Sequence, residues 1–225
     1  MYTIMRNVQS QWGKPGPREM NEESIAAALQ QEILAGEIQP GTELVQVALA
    51  NRFAVSRIPV RDALRRLAAS GLVTISPNRG ARVVQLTPDE VREIYELRIL
   101  LEGDCLRRAM GRMTEDDLQR IEHALAKSNL DALTDDWAEG DWFFHATLYA
   151  PAGRNHQIEM IRNLRNRCRT HVAVYRTLPE ETPRWLDGHE RLFGFCRQGD
   201  IEAAVGALER HIETAAGILL DKMKI

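Results

Sequence analysis

The sequence predicts a mainly α-helical fold made of two parts, an N-terminal winged helix-turn-helix and an all-α antiparallel bundle of six or seven helices. Three short helical segments are followed by two β-branched runs around a Pro-Asn-Arg-Gly turn, which indicates three helices and a β-hairpin wing. After residue 87 the apolar periodicity is helical throughout, and the breaks carry Gly or Pro. Residues 87–90, Thr-Pro-Asp-Glu, form a capping box that starts the first of these helices, Thr114 caps the second, and a later helix is expected to begin at Pro183. We therefore expect a flexible lead at 1–20, the winged helix-turn-helix at 21–86 and the helical domain at 87–225.

Length and composition are those of a globular protein with one or two domains. The chain has 225 residues, of which 44% are hydrophobic and 27% charged. It has no run of about 18 apolar residues and no N-terminal signal pattern, so we expect a cytoplasmic protein without a membrane span. The cysteines Cys105, Cys168 and Cys196 stand in apolar helical contexts, which favours structural thiols over redox sensors.

The charge of the chain is distributed unevenly. Residues 1–86 carry ten Lys/Arg and seven Asp/Glu, a balance of +3, and the other 19 basic and 25 acidic residues give −6, which together make the net charge of −3. Residues 52–82 hold seven arginines and one acid. A basic patch beside an acidic remainder is typical of a protein that binds nucleic acid through one domain only.

The third helical segment has a basic face and an apolar face. Arg57, Arg61 and Arg65 fall within about 80° of one another on a helical wheel, and the apolar residues lie on the other side. Ser56 is a suitable N-cap for this helix, and Gly71 is a suitable residue to end it. A row of arginines can contact phosphates or guanine edges in a major groove, whereas the simpler alternative is a solvated surface helix.

A longer motif surrounds this helix. Residues 55–73 read Val-Ser-Arg-x-Pro-Val-Arg-x-Ala-Leu-x-x-Leu-x-x-x-Gly-Leu-Val, and residues 77–83 read Pro-Asn-Arg-Gly-Ala-x-Val. This pattern resembles the winged-helix signature of the GntR family of bacterial transcription regulators. The resemblance implies that Ser56, Arg57 and Arg61 contact DNA phosphates and bases, and that Arg79 and Gly80 at the tip of the wing enter the minor groove.

The sequence departs from that family at the second helix. Gln46 and Val47 stand where members usually carry a Glu-Arg pair, and Val45 stands where they carry a Ser or Asn cap. The departure predicts one phosphate contact fewer and a second helix that is less well capped.

Four side chains of the C-terminal part are candidate metal ligands. Asp141 and His145 lie four residues apart on one predicted helix, and His189 and His211 each lie on the apolar stripe of another. A single histidine on an apolar face is usually a core residue, but three of them with an aspartate in one bundle favour a metal site. Zinc fits these ligands best, with nickel, manganese and iron as alternatives, and four ligands leave positions open for an effector.

The same region carries the motifs Tyr-Glu-Leu-Arg-x-x-Leu-Glu at 95–102, Asp-x-x-Phe-His at 141–145, Gly-His-Glu at 188–190 and Arg-His-Ile at 210–212. These motifs resemble the FCD effector domain of the FadR branch of the GntR family. In members that bind metal, one Asp and three His hold the ion, and the resemblance implies this role for Asp141, His145, His189 and His211. Gly188 stands where a glutamate is more usual.

Two inward-facing arginines and a tyrosine are candidate effector-binding residues. Arg98 shares a helical stripe with Tyr95, and Glu102 lies one turn further on as a possible internal partner. Arg165 has no acidic residue three or four positions away, so we expect an external carboxylate as its partner. Tyr95, Arg98 and Arg165 are therefore expected to bind a small carboxylate-bearing metabolite.

Together these features predict a transcriptional repressor whose operator affinity is controlled by a small organic acid at the metal site. One short recognition helix reads few base pairs, so we expect a homodimer on a palindromic double-stranded operator. The alternative is a metal-dependent enzyme that uses the Asp/His centre. The sequence has no His-Glu-x-x-His motif, no nucleophile elbow and no inward carboxylate free to act as a general base, so an enzyme is not expected.

Overall fold

The computed structural model describes residues 20–76, 80–132, 134, 137–175 and 178–223. Within these residues the protein has the predicted architecture, a three-helix unit with a small sheet followed by six longer helices. The predicted lead at 1–20 lies, except for Met20, outside the described residues, as does Arg79 of the wing tip. In the described part of the chain, no helix combines the length and apolar character that a bilayer crossing requires.

The N-terminal unit consists of three helices and a three-stranded antiparallel sheet. The helices are α1 (Glu22–Leu34), α2 (Gln46–Phe53) and α3 (Arg57–Ala69), and the strands are β1 (Glu43–Leu44), β2 (Val73–Ser76) and β3 (Gly80–Val83). The strand order is β1-β3-β2, so the predicted hairpin has a third strand on its far edge. Strand β1 was not predicted, because a strand of two residues is too short to show an alternating pattern.

The turn between α2 and α3 sets the start of the recognition helix. Ala54 ends α2 with a φ of 54°, and Ser56 occupies the N-cap position of α3 without a side-chain capping hydrogen bond. The expected cap by Ser56 is therefore wrong in its hydrogen bond although right in its position. Val45 also makes no side-chain cap for α2, as its apolar side chain predicted.

The amphipathic pattern of α3 is confirmed. Its apolar side packs against α1 in a core that the two helices share, and the buried members on α3 are Val60, Ala63, Leu64 and Leu67. Arg57, Arg61 and Arg65 are exposed. The helix is thus held by one face and leaves the basic face accessible.

Six helices form the C-terminal bundle. They are α4 (Pro88–Met110), α5 (Glu115–Asp131), α6 (Trp137–Tyr149), α7 (Asn155–Tyr175), α8 (Leu178–Gln198) and α9 (Ile201–Lys222), with a short 3-10 turn at Ala150–Ala152. Thr87 forms the predicted capping box with Glu90 at the start of α4. The expected start of α8 at Pro183 is wrong, since the helix begins five residues earlier. Pro183 is the sixth residue of this helix, so its missing N–H removes one main-chain hydrogen bond from the helix interior.

The two units meet along α7. Asn166 Nδ2 donates to the carbonyl of Ser70, just beyond α3, at 3.0 Å. The Leu86 N–H donates to His171 Nε2 at 2.8 Å. Val84 and Leu86 pack with the core of the bundle, so the hydrophobic core of the C-terminal part reaches slightly beyond the predicted boundary at residue 87.

Gly71 is required at this junction for two reasons. Its φ is +79°, which ends α3 in the left-handed conformation that the sequence predicted. A Cβ at this position would also lie 2.9 Å from the carbonyl oxygen of Asn163 on α7. Any larger residue would therefore strain the turn and push the recognition helix away from α7.

Candidate metal and effector site and DNA-facing surface

The four predicted metal ligands come together inside the bundle. Asp141 and His145 lie on α6, His189 on α8 and His211 on α9, and one potential ligand atom of each lies within 4.8 Å of the others. Asp141 Oδ1 is 3.6 Å from His145 Nε2 and 3.3 Å from His189 Nε2. The first three side chains are buried and His211 is partly buried. The structure therefore assembles the donor set that sequence spacing had placed on separate helices.

Several polar atoms of this cluster have no hydrogen-bond partner among the described residues. They are Asp141 Oδ1, His145 Nε2 and both ring nitrogens of His189. The 3.3 Å approach of His189 Nε2 to Asp141 Oδ1 lacks hydrogen-bond geometry. Each unpaired buried group costs about 1–3 kcal/mol, so such a cluster is normally satisfied by a ligand or ion. Imidazole nitrogens with one carboxylate oxygen suit a divalent transition-metal ion.

The protonation states of the cluster also suit a cation. Burial, together with the charge of Arg165, holds the pKa of His145 well below its usual range. Burial and the neighbouring His189 do the same to the pKa of His211. Burial alone would raise the pKa of Asp141, but Arg165 together with His145 and His189 outweighs it and holds that pKa well below its ordinary value. An ionised carboxylate and neutral imidazoles are the forms that bind metal.

Arg98 and Arg165 line the site, but both have internal acidic partners. Arg98 Nε donates to Glu102 at 2.7 Å. Arg165 donates to Glu102 at 2.8 Å and to Asp141 at 2.6 Å. The reason for expecting an external partner at Arg165 was therefore wrong. Its partners lie on α4 and α6, where sequence spacing along α7 could not reveal them.

Glu102 has more partners in the structure than the sequence indicated, where it was only a possible partner of Arg98. It is fully buried and accepts hydrogen bonds from Arg98, Arg165 and the Tyr149 hydroxyl, the last at 2.7 Å. Burial would raise the pKa of Glu102, but the two guanidinium groups more than offset this and lower it. With Asp141 also ionised, two carboxylates balance two guanidinium groups, and this part of the site is electrically neutral.

A cavity of about 330 Å³ opens beside the cluster. Its wall includes the three predicted effector residues Tyr95, Arg98 and Arg165, with the Arg98 guanidinium 4.7 Å from the centre of the Tyr95 ring. Three tryptophans contribute much of the remaining wall, namely Trp137, Trp142 and Trp185. Their convergence on one cavity was not predicted, because they lie on α6 and α8 and meet only when those helices pack.

The cysteines fit the structural interpretation. Cys105, Cys168 and Cys196 are buried and form no disulfide. Burial raises the pKa of Cys105 and of Cys168 to about 11 and that of Cys196 to about 12. Thiols with such pKa values are poor nucleophiles at neutral pH.

The DNA-facing candidates lie on the exposed side of the N-terminal unit. Besides the three arginines of α3, Ser56 and Gly80 are exposed, and Gly80 begins β3 with a φ of +78°. Asp62 lies 3.4 Å from Arg61 Nε and 3.2 Å from a terminal nitrogen of Arg65. One oxygen of Asp62 therefore contacts both guanidinium groups, which the helical wheel did not indicate.

Fold and site together define a winged-helix regulator with a ligand-binding helical domain. Residues 21–83 match the gntR family of bacterial regulatory proteins, and residues 93–214 match the FCD domain. The chain therefore belongs to the GntR family and carries an FCD domain. This membership implies DNA binding through the first region and a small-molecule effector in the second.

Named relatives agree with this assignment. The chain is 28% identical over 206 residues to the gluconate operon transcriptional repressor of Bacillus licheniformis, covering 88% of this chain and 84% of the relative. It is 30% identical over 203 residues to the HTH-type transcriptional repressor RspR of Escherichia coli (strain K12), covering 88% of each. These relatives are transcriptional regulators, so the alternative of a metal-dependent enzyme is set aside.

Solved structures show the same fold. McbR/YncC of E. coli superimposes with a TM-score of 0.74 at 21% identity, covering 88% of this chain and 96% of that chain. A GntR transcriptional regulator from Rhodococcus sp. RHA1 gives a TM-score of 0.72 at 24% identity, covering 89% and 97%.

Proposed function

We propose that this DNA-binding regulator is a cytoplasmic repressor whose operator affinity is set by a small organic acid bound at a divalent metal ion. Asp141, His145, His189 and His211 would hold the ion, with zinc expected first and nickel, manganese or iron as alternatives. The observation that carries the proposal is the convergence of these four side chains with unpaired, buried donor atoms. The regions 21–86 and 87–225 are the proposed DNA-binding and effector domains.

The charge of the site favours an anionic effector. Two guanidinium groups and two carboxylates already cancel, so a divalent cation would add two uncompensated positive charges to a buried site. Such a site is costly unless an anion enters, and a bound divalent ion supplies open coordination positions for carboxylate oxygens. Arg98 and Tyr95, which line the cavity, would then donate to the same anion.

The volume and the wall of the cavity indicate the size and polarity of the effector beyond its carboxylate. Its walls are mostly apolar and aromatic, and a volume of about 330 Å³ is at the lower end of the range for drug-sized ligands. We therefore expect a carboxylate with an apolar or planar part, larger than an acid of two or three carbons. Trp137, Trp142 and Trp185 would contact that part.

The DNA-binding half of the proposal rests on the exposed basic face of α3. Arg57, Arg61 and Arg65 would lie in a major groove, with Ser56 on a phosphate and Arg79 and Gly80 at the minor groove. A homodimer on a palindromic operator would supply two such helices. Exposed apolar side chains on α4, Leu97 and Leu100, are candidates for the subunit interface.

Helix α7 offers a physical connection between the two halves. It carries Arg165, which contacts the metal-ligand Asp141, and one residue later Asn166, which binds the end of α3. An effector that shifts α7 would therefore shift the recognition helix. Coupling of this kind is about 1–3 kcal/mol and reciprocal, so DNA and effector alter each other's affinity equally.

The test combines elemental analysis with an effector-dependent gel shift on His189→Ala and His211→Ala. We expect both variants to lose metal and effector response while keeping operator binding in one of the two states. The matched control is His123→Ala, since His123 is exposed on α5. Full metal occupancy in both variants would contradict the proposal and would make these histidines core residues.

A further inference from the structure

His211 differs from the other candidate histidines because its hydrogen-bond partner can only donate, whereas His145 Nδ1 meets the Tyr149 hydroxyl at 3.2 Å and leaves its Nε2 unpaired in the described part of the chain. Trp185 Nε1 donates a hydrogen bond to His211 Nε2 at 2.8 Å. By contrast, Asp141 Oδ1, His145 Nε2 and both ring nitrogens of His189 have none among the described residues. The structure therefore shows a ligand set in which three members are available and the fourth is engaged.

The second ring nitrogen of His211 is turned toward the backbone of α8. A Cβ built on Gly188 would lie 2.8 Å from His211 Nδ1, closer than real Cβ atoms come to a neighbour. The ring can occupy this place only because residue 188 is glycine. The same position carries a glutamate in the pattern that this region resembles, so the arrangement belongs to this chain in particular.

The hydrogen bond fixes which nitrogen of His211 has a lone pair. A neutral imidazole has one N–H and one acceptor nitrogen. Because the indole of Trp185 is a donor only, Nε2 of His211 is the acceptor and Nδ1 carries the proton. The single lone pair of the ring is thus used by Trp185, and His211 has none to give to a metal ion in this arrangement.

We propose that Trp185 is a gate on the metal site, which releases His211 Nε2 when a metal ion binds. The inference rests on the proposed metal site. Trp185 acts here as a positioning residue, since its indole N–H holds the His211 ring through Nε2. Metal binding must then replace an indole hydrogen bond by a coordination bond.

The gate would also order the two binding events. Trp185 lines the effector cavity and packs edge-on against Trp137, with ring centres 5.3 Å apart and planes at 62°. Release of its N–H changes the wall that an effector meets and leaves a free donor beside the cavity. A metal ion is therefore expected to bind first and to complete the cavity for the organic acid.

The experiment compares wild-type protein stripped of metal by a chelator with Trp185→Phe and Trp12→Phe. Phenylalanine keeps a ring at position 185 but removes the donor, so the metal-free state loses its hydrogen bond. We expect zinc, measured by competition with a chromophoric chelator, to bind Trp185→Phe about 2- to 10-fold more tightly than wild type. Trp12→Phe makes the same substitution in the predicted N-terminal lead and serves as the matched control with unchanged zinc affinity.

Tryptophan signals give a readout that does not depend on affinity. Zinc should change the fluorescence of wild type and of Trp12→Phe but not the signal of Trp185→Phe. In wild-type protein labelled with 15N-tryptophan, one indole N–H resonance should move when zinc saturates the site, which keeps the test valid if Trp185→Phe does not fold.

Two results separate the failure of this inference from the failure of the proposed function. If wild type binds zinc while Trp185→Phe binds it equally or less tightly, or if no indole resonance moves, the gate is wrong and the metal site stands. If wild type binds none of zinc, nickel, manganese and iron, both are wrong.

Discussion

At the scale of single residues, Glu102 is a buried carboxylate at the centre of a hydrogen-bonded network in the helical domain. It accepts hydrogen bonds from Arg98, Arg165 and Tyr149, and it is fully buried. A buried ion pair is not itself strong evidence for stability, since desolvation offsets much of the attraction. Removing one partner is different, because the remaining charges stay buried without compensation.

Glu102→Gln is therefore expected to lower the free energy of unfolding by about 3–5 kcal/mol. The amide cannot neutralise the guanidinium groups of Arg98 and Arg165. Urea denaturation followed by circular dichroism measures the loss. Glu93→Gln, at an exposed position on the same helix, should change stability by less than about 0.5 kcal/mol, and a similarly small effect at Glu102 would show that the network is not required.

The arginines of α3 allow a second prediction at this scale. Arg61→Ala should weaken specific operator binding by about 1–3 kcal/mol without affecting the fold, because the side chain is exposed and faces the proposed groove. Gel-shift titration on an operator obtained by in vitro selection measures the change.

The control for that titration is Arg66→Ala on the same helix. Arg66 points toward α1, where its guanidinium lies 3.4 Å from Glu23. Its replacement should leave operator affinity nearly unchanged. Equal binding by wild type, Arg57→Ala and Arg61→Ala would refute the assignment of α3 as the recognition helix.

At the scale of elements, α7 lies in the helical domain and contacts the end of α3 in the N-terminal unit. Its residue His171 accepts a hydrogen bond from the Leu86 N–H, which requires a lone pair on Nε2. Burial lowers the pKa of His171, and the nearby Glu90 opposes this only in part. The neutral ring is therefore the form that holds the junction together.

The lowered pKa of His171 sets the direction in which stability changes with pH. Below a pH of about 6.5 the unfolded chain binds a proton at His171 that the folded chain does not, so stability is complete above that pH and decreases as the pH falls. Glutamine offers an amide oxygen that does not titrate. His171→Gln should therefore remove the loss of stability that protonation of His171 causes at low pH.

The measurement is the free energy of unfolding in urea between pH 7.5 and 5.5. Wild type should lose more stability than His171→Gln, by at most about 1.4 kcal/mol per pH unit. The other buried histidines contribute equally to both proteins and cancel in the difference. Parallel curves for the two proteins would show that His171 does not titrate with folding.

For the whole molecule, the proposed dimer is the property most open to test. Leu97 and Leu100 lie one turn apart on α4 and are 40% and 68% exposed. Leu100→Glu should shift sedimentation at micromolar concentration from twice the 25.5 kDa chain mass toward the monomer, since a buried unpaired charge destabilises an interface.

Leu130→Glu is the matched control for the dimer, because Leu130 is a similarly exposed leucine on α5. It should leave the sedimentation coefficient unchanged. A wild-type chain that stays monomeric with and without DNA would exclude the dimer altogether. A dimer that persists in Leu100→Glu would place the interface on another face.

The sequence by itself determined the fold class, the basic face of α3 and the four candidate ligands. Each depends on residues close together in the chain: the helical period, the caps at Thr87 and Thr114, and the four-residue spacing of Asp141 and His145. Such patterns are local, because a helix repeats its faces every 3.6 residues and its ends need nearby partners. They can be recognised in the sequence without knowing which helices pack together.

Only the tertiary structure decided which partners the buried charges have and that one nitrogen of His211 is already hydrogen-bonded. Arg165 pairs with Glu102 and Asp141 on two other helices, and Trp185 on α8 binds His211 on α9. These pairs are separated by 24 to 63 residues in the chain. Which side chains meet across helices depends on how whole faces pack, and packing is a property of the assembled core rather than of any one segment.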